Sequence, residues 1–140
     1  AFFVAQEVGK RMIAPSRGAA PGTFIGGRIV NIASIAGQRV LSQIGVYAMS
    51  KAAVIHMTRA MALEWGRFGI NVNALCPGYI DTEINHHHWQ TEAGAKLVAT
   101  LPRKRVGRPQ DLDLALLMLC ANESGFVNGA VVNADDGYAL

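Results

Sequence analysis

The sequence predicts an α/β protein in which helices cover a parallel β-sheet. Three short segments rich in β-branched apolar residues alternate with longer segments of helical pattern, and loops containing glycine or proline separate them. Alternation at these lengths is typical of parallel strands joined by helical crossovers. Ligands of such sheets bind at the carboxyl ends of the strands. The functional residues are therefore expected in the loops that follow the strands.

The individual elements follow from apolar periodicity and from the positions of glycine and proline. Spacing of three and four predicts a first helix that Pro15 ends, and a loop rich in glycine and proline follows it over 15–27. The predicted order is helix 1–14, strand 28–33, helix 45–66, strand 70–75, helices 91–100 and 109–121, and strand 129–134. The loops that leave the carboxyl ends of the strands span 34–45, 76–90 and 135–140.

The helix predicted over 45–66 is apolar nearly all round. A helix of this kind is buried on more than one side. One side can cover the sheet, and the other needs a second covering surface such as a partner subunit. We therefore expect a homodimer or homotetramer that forms through helices 1–14 and 45–66.

Composition argues against several classes of protein. Of the 140 residues, 51% are hydrophobic and only 16% are charged, which is typical of a folded chain. The formal net charge of +3 is mild, and the basic cluster over 103–108 lacks the interleaved aromatic residues of a nucleic-acid surface. No apolar run approaches the length of a membrane span. Neither nucleic acid nor a membrane is expected as a partner.

Cysteine and histidine usage favours neither a disulfide framework nor a metal site. Cys76 and Cys120 lie in apolar surroundings and are expected to be buried free thiols, which fits a cytoplasmic protein. Three consecutive histidines occupy 86–88, but adjacent side chains do not easily converge on one ion, and no carboxylate or cysteine stands at ligand spacing. A solvated loop near the substrate is the expected role of this segment.

Tyr47 and Lys51 are the strongest candidates for chemistry. They are four residues apart at the start of the long helix, which places both side chains on one face. A free tyrosine has a pKa of about 10, and a nearby ammonium favours its phenolate form. Such a tyrosine can exchange a proton with a carbonyl or alcohol oxygen. Ser34, at the carboxyl end of the first strand, can both donate and accept a hydrogen bond beside it.

These features occur together with longer matching stretches. The stretches are RIVNIASIAG (28–37), YAMSKAAV (47–54), INVNALCPGYIDT (70–82), RVGRPQDL (105–112) and FVNGAVVNADDG (126–137). In this order they resemble the short-chain dehydrogenase/reductase family in its classical type, over nearly the whole chain.

The resemblance implies a Rossmann-like three-layer fold and an NAD(P)-dependent oxidoreductase acting on a small-molecule alcohol/ketone pair. It implies Ser34 as the hydroxyl that orients the substrate and Tyr47 as general acid/base. Lys51 would favour the Tyr47 phenolate and hold the nicotinamide ribose, so both residues also contact the cofactor. The remaining residues implied at the nicotinamide end of NAD or NADP are Pro77, Gly78, Ile80 and Thr82.

Parts of the family pattern are absent from this sequence. We find no glycine-rich phosphate loop after a first strand, no residue that selects NAD or NADP, and no catalytic Asn ahead of helix 1–14. Residues 1–140 are therefore expected to form a single partial NAD(P)-binding domain, the C-terminal catalytic half without the glycine-rich half.

Two alternatives remain open from the sequence. The chain could be an inactive fragment that acts only as an oligomerising structural module, for which the missing glycine loop argues. The same Tyr-Lys pair could instead serve an epimerisation or dehydration. The nature of the substrate and the choice between NAD and NADP are not apparent from these residues.

Overall fold

The computed structural model describes residues 1–18 and 26–140, and its architecture is the predicted α/β arrangement. The helices and strands are α1 (Phe2–Ser16), β1 (Gly27–Ile32), α2 (Gly45–Trp65), β2 (Ile70–Pro77), α3 (His86–Trp89), α4 (Glu92–Thr100), α5 (Asp113–Cys120) and β3 (Val131–Ala134). Short 3-10 turns occupy Ile35–Gly37, Gly66–Phe68, Pro109–Leu112 and Asn122–Ser124.

The three strands form one parallel sheet in the order β1-β2-β3. Gly27 pairs with Ile70 at the start of β1, and Ala74 pairs with Val131 at the start of β3. Because β2 is the middle strand, it is the most buried element, and Val72 has no exposed surface. The carboxyl ends of β1 and β2 lie side by side, where the sequence predicts the functional loops.

Alternate residues of β2 point to opposite faces of the sheet, as the pleat requires. One face packs against α1 and α2, where Ile70 and Val72 meet Met61. On the other face, the carboxamides of Asn71 and Asn73 both donate to the carbonyl oxygen of Val127 at 2.9 Å. These bonds satisfy polar groups that would be costly to bury alone. Helix α5 packs against β1 and β2 on this second face, so the sheet is the middle of three layers.

The structure corrects the N-terminal predictions. Helix α1 passes through Pro15 and ends at Ser16, so proline does not end it. Pro15 has no N–H to donate to the carbonyl four residues earlier, and the helix ends one residue beyond it. Gly27 belongs to β1 rather than to the loop predicted over 15–27, and the central part of that loop, 19–25, lies outside the described residues.

Three further predictions are corrected. The segment predicted as loop up to residue 90 contains α3, a single helical turn. The helix predicted from 109 begins as a 3-10 turn and becomes α-helical only at Asp113. Cys76 is fully buried as expected, but Cys120 is exposed at the end of α5. Cys120 lies on the outer side of α5, whereas the neighbouring Leu119 is fully buried.

The outer surface of α1 and α2 is strongly apolar. Helix α2 buries Ile55 and Met61 against the sheet, while Val46 is 77% and Leu63 85% exposed. The exposed side of α2 is the second apolar side that the sequence indicates. That a partner subunit covers it stays a prediction. None of the described helices combines the length and the apolar character needed to cross a membrane.

Candidate active site

All the residues predicted to contact substrate or cofactor line one cavity of about 430 Å³. The cavity opens where the carboxyl ends of β1 and β2 meet the first turns of α2. The predicted residues in its wall are Ser34, Tyr47, Lys51, Pro77, Gly78, Ile80 and Thr82. The tertiary fold therefore brings together groups that are up to 48 positions apart in the chain (Ser34 to Thr82).

One wall of the cavity begins at Ser34, just beyond β1. The residue is extended, with φ of −170°, and caps the 3-10 turn that follows it. Its hydroxyl oxygen accepts a hydrogen bond from the Ala36 amide at 3.1 Å, and only 8% of the residue is exposed. That bond occupies one lone pair, so the hydroxyl proton and a second lone pair can serve a ligand.

Tyr47 and Lys51 lie on the same face of α2, as their spacing predicts. The Lys51 Nζ atom is 5.6 Å from the centroid of the Tyr47 ring. The same ammonium donates to the carbonyl oxygen of Ile32 at 3.0 Å. This bond anchors Lys51 to the end of β1 and holds a positive charge between Tyr47 and the strand. Tyr47 is 47% exposed and lines the cavity.

The loop that carries Ser34 lies directly against α2, and Gly37 makes this possible. A Cβ atom at this position would stand 2.7 Å from the Lys51 carbonyl carbon and 2.8 Å from the Ala52 nitrogen. Backbone atoms do not yield as side chains do. A glycine here therefore sets the distance between the Ser34 loop and the helix that carries Tyr47.

The opposite wall follows β2 and starts at Gly78. A Cβ atom on Gly78 would come within 2.7 Å of Asp135, so this loop lies close to the segment after β3. Further along, the Asp81 amide donates to the Gly107 carbonyl at 2.8 Å, and the Gly107 amide donates to the Tyr79 carbonyl at 2.9 Å. These bonds hold the wall against the segment that precedes α5.

Thr82 and Asn85 form a compact turn in this second wall. The Asn85 side-chain oxygen accepts from the Thr82 amide at 2.7 Å and from the Thr82 hydroxyl at 3.1 Å. Asn85 itself lines the cavity, although the motif spacing does not single it out. Its signal in the sequence is weak: an asparagine just ahead of a short helix is a common capping residue.

Tyr79 is a second cavity residue that the sequence analysis missed. Its ring packs edge-on against Tyr138, with centroids 5.3 Å apart, and against Trp89 at 5.9 Å. Burial raises the pKa of Tyr79, and the neighbouring Tyr138 raises it further, while Arg39 acts in the opposite direction. The Tyr79 hydroxyl therefore stays protonated at neutral pH, and the ring forms an aromatic side of the cavity.

Cys76 lies in β2 close to the cavity but does not open into it. Burial raises the pKa of its thiol, and this outweighs a hydrogen bond from the Gln38 side chain and the positive charge of Lys51, which both lower it. A neutral buried thiol is a poor nucleophile. Cys76 is therefore a packing residue of the central strand.

The histidine segment is occupied by contacts within its own loop. His86 Nδ1 is 3.1 Å from the Asp81 carboxylate, and the His88 ring packs edge-on against Trp89 at 5.0 Å. Within residues 1–18 and 26–140, no group of three or more His, Cys, Asp or Glu side chains is arranged to hold a metal ion.

Comparison with known proteins places this geometry in a family. Residues 5–139 match the family model described as "Enoyl-(Acyl carrier protein) reductase". The chain is 34% identical to the NAD-dependent glycerol dehydrogenase of Listeria innocua, over 99% of this chain and 51% of that protein. It is 36% identical to the gluconate 5-dehydrogenase of Gluconobacter oxydans, over 99% of this chain and 51% of that protein.

Solved structures agree with these relatives. The gluconate 5-dehydrogenase of Burkholderia cenocepacia, in complex with NADP and tartrate, superposes with a TM-score of 0.86 at 34% identity, over 98% of this chain and 51% of that one. The chain thus spans about half the length of the curated relatives it matches. The matches confirm a Rossmann-like fold. Since the family model covers nearly every residue, the chain belongs to the short-chain dehydrogenase/reductase family.

Proposed function

We propose that the complete gene product is an NAD(P)-dependent oxidoreductase that interconverts a small-molecule alcohol and its ketone. The observation that carries this proposal is the shared cavity, in which Ser34, Tyr47 and Lys51 face the loop from Pro77 to Thr82. The relatives support it, because a glycerol dehydrogenase and a gluconate 5-dehydrogenase are both named for the oxidation of hydroxyl compounds.

The donor set of the cavity fits the nicotinamide end of the cofactor. An ammonium carries three N–H donors, and the Ile32 carbonyl takes one from Lys51, so further donors can reach a ribose diol. Gly78 and Pro77 offer a wall without long side chains, and the Thr82 hydroxyl adds a polar contact. We assign cofactor contacts to Tyr47, Lys51, Pro77, Gly78, Ile80 and Thr82.

Three residues of this chain then carry out and support the proton transfer. The cofactor, when bound, supplies or accepts the hydride. Tyr47 gives its hydroxyl proton to the developing alkoxide in reduction and takes a proton from the alcohol in oxidation. Ser34 donates to the same substrate oxygen and orients it. The positive charge of Lys51, beside the Tyr47 ring, would stabilise the negative charge that develops on the Tyr47 oxygen during this transfer.

We further propose that residues 1–140 form a single partial cofactor-binding domain. No glycine-rich loop is present in the sequence, and such loops hold the cofactor's phosphates at a helix N-terminus. The 140 residues alone are therefore expected to bind the cofactor weakly. The apolar outer faces of α1 and α2 support a homodimer or homotetramer that forms through them, and the two free thiols fit a cytoplasmic enzyme.

Cofactor titration and turnover test the proposal together. NADH and NADPH are titrated into the complete gene product and into the 140-residue chain, and nicotinamide fluorescence reports binding. Turnover is then measured with a panel of polyols and sugar acids. We expect at least one of the two coenzymes to bind the complete gene product more tightly than it binds the 140-residue chain. Tyr47→Phe should lower kcat by roughly 10²–10⁴-fold while coenzyme binding persists.

Two results would overturn the proposal. The first is a complete gene product that binds neither coenzyme, which would leave only an oligomerising module. The second is product formation with no net change in the redox state of the cofactor, which would indicate epimerisation or dehydration. Sedimentation of the same samples measures the oligomeric state directly.

A further inference from the structure

The loop between β2 and α4 is organised around one side chain, Asn85. The residue stands at the N-terminus of α3 with φ of −119° and is half-buried beneath the loop. The loop crosses the cavity wall with only the single turn of α3 as regular structure. Side-chain hydrogen bonds therefore add to the few backbone bonds that hold the loop, among them those to Gly107.

Both ends of the Asn85 carboxamide are engaged. The oxygen accepts from the Thr82 amide at 2.7 Å, from the Thr82 hydroxyl at 3.1 Å and from the Trp89 indole at 3.2 Å. The nitrogen donates to the Ile80 carbonyl at 2.8 Å. One planar group thus joins residues at the start, middle and end of the loop.

The chemistry of these partners fixes the orientation of the carboxamide. A backbone amide and an indole N–H only donate, so the atom that faces Thr82 and Trp89 is the oxygen. A carbonyl only accepts, so the atom that faces Ile80 is the nitrogen. Aspartate would supply the acceptor without the donor, and serine is too short to reach both sides. Asparagine matches all four bonds.

The same bonds determine in which direction the Thr82 hydroxyl donates and in which it accepts. Its hydroxyl proton is directed at the Asn85 oxygen, which can only accept. The lone pairs of the Thr82 oxygen are then left for whatever enters the cavity. The hydroxyl is therefore prepared to accept a hydrogen bond from an N–H group of a ligand rather than to donate one.

We propose that Asn85 is a positioning residue for the cofactor. It holds Thr82 with its acceptor lone pairs toward the cavity, where they would accept from an N–H group of the bound cofactor, and it fixes Trp89 behind the same loop. This inference rests on the proposed function, because it takes Thr82 as a cofactor contact. Asn85 itself acts through Thr82 and touches no reacting atom.

Three variants of the complete gene product test the proposal. Asn85→Ala removes the four bonds, Asn85→Asp keeps the acceptor oxygens, and Glu83→Ala changes an exposed side chain of the same loop. We expect Asn85→Ala to raise KM for the coenzyme about tenfold with a smaller change in kcat, since each lost hydrogen bond is modest. Asn85→Asp should restore most of the affinity, and Glu83→Ala should leave both constants unchanged.

A double-mutant cycle shows whether Asn85 acts through Thr82. If it does, Thr82→Ala combined with Asn85→Ala loses no more coenzyme affinity than Thr82→Ala alone. Fully additive losses would overturn the proposal, because two independent contacts would then be at work. An Asn85→Asp variant as weak as Asn85→Ala, with the Thr82 amide still protected, would also overturn it.

Amide exchange at Thr82, measured by NMR without coenzyme, separates this inference from the proposed function. We expect faster exchange in Asn85→Ala than in the wild type and in Glu83→Ala, because the Thr82 amide loses its acceptor. Unchanged exchange would refute the positioning role even where coenzyme binds. If the wild type binds neither coenzyme, the proposed function fails, while the exchange result still decides whether Asn85 holds Thr82.

Discussion

The two walls of the cavity are built in different ways. The wall that carries Ser34, Tyr47 and Lys51 rests on β1 and on the 21 residues of α2, and its side chains are tied to backbone atoms. The wall that runs from Gly78 to Trp89 has one short helical turn, and the carboxamide of Asn85 supports it together with backbone bonds to Gly107. The first wall is thus an extension of the regular structure, whereas the second is a loop in which one side chain makes several hydrogen bonds.

This difference separates two tasks of a catalytic site. Proton transfer needs groups held at fixed distances, which a strand end and a long helix supply. Ligand entry needs a segment that can open, and a loop with little regular structure opens at a smaller cost in free energy. We therefore expect substitutions in the first wall to impair chemistry and those in the second to impair binding.

The largest expected effect is on the first wall, at Lys51. Lys51→Met keeps the length of the side chain but removes the charge beside Tyr47 and the bond to the Ile32 carbonyl. We expect kcat/KM to fall on the order of 10²–10³-fold, as for loss of a preorganised electrostatic group. Lys96→Met is the control, since Lys96 pairs with Glu92 on the exposed surface of α4. Equal effects of the two variants would contradict the assignment.

A second effect is expected where the first wall meets α2. Gly37→Ala places a Cβ atom 2.7 Å from the Lys51 carbonyl carbon, so the loop must move away from the helix. We expect a loss of about 1–3 kcal/mol in the free energy of unfolding, measured by denaturant titration. Gly45→Ala is the matched control, because nothing lies within 4 Å of a Cβ atom there. A Gly37→Ala variant as stable as Gly45→Ala would show that this contact does not constrain the wall.

The reactivities of the two thiols test whether β2, beneath the cavity, stays protected from solvent. Cys76 has no exposed surface, and burial raises the pKa of its thiol, whereas Cys120 is exposed. A raised pKa favours the neutral thiol, so the reactive thiolate forms only at higher pH or after local opening. With iodoacetamide at pH 8 we expect Cys120 to be alkylated at least about tenfold faster. Mass spectrometry identifies the site, and earlier labelling of Cys76 would show that the floor of the cavity opens.

The smallest effect is expected at the segment that supports the second wall. The Arg108 amide and then the Arg105 guanidinium lower the pKa of the Asp111 carboxyl. A lowered pKa in the folded protein means that the stabilisation is present above the unfolded value of about 3.9 and is lost as pH falls through the folded value. Asp111→Asn should therefore lower Tm slightly at pH 7, and the difference should shrink as pH falls below the unfolded pKa. A Tm difference that persists at low pH would point to packing rather than charge.

Much of the fold could be predicted from the sequence because its signals are local. The segments over 28–33 and 70–75 are short apolar runs between loops, and both are strands to within two residues at each end. The prediction failed where the local signal competes with context. Proline ends many helices, but α1 runs one residue past Pro15, so this proline belongs to the last turn instead of following it.

The candidate site divides in the same manner. Tyr47 and Lys51 could be placed on one face by spacing alone, and the residues from Pro77 to Thr82 by their likeness to a family motif. Asn85 could not be found in this way. Its importance lies in four bonds to three other residues, and a single asparagine in a polar loop carries no pattern that separates it from an ordinary cap.

The sequence by itself determined the alternation of the strands with the longer helices, the Tyr47–Lys51 pair and the family to which the chain belongs. These features depend on the spacing of residues along the chain, which can be read directly from the sequence. Only the tertiary structure decided that the Lys51 ammonium is bound to the Ile32 carbonyl, that Gly37 touches α2, and that Asn85 organises the second wall. Such contacts depend on angles and distances between packed elements, and those arise only when the sheet and its helices come together.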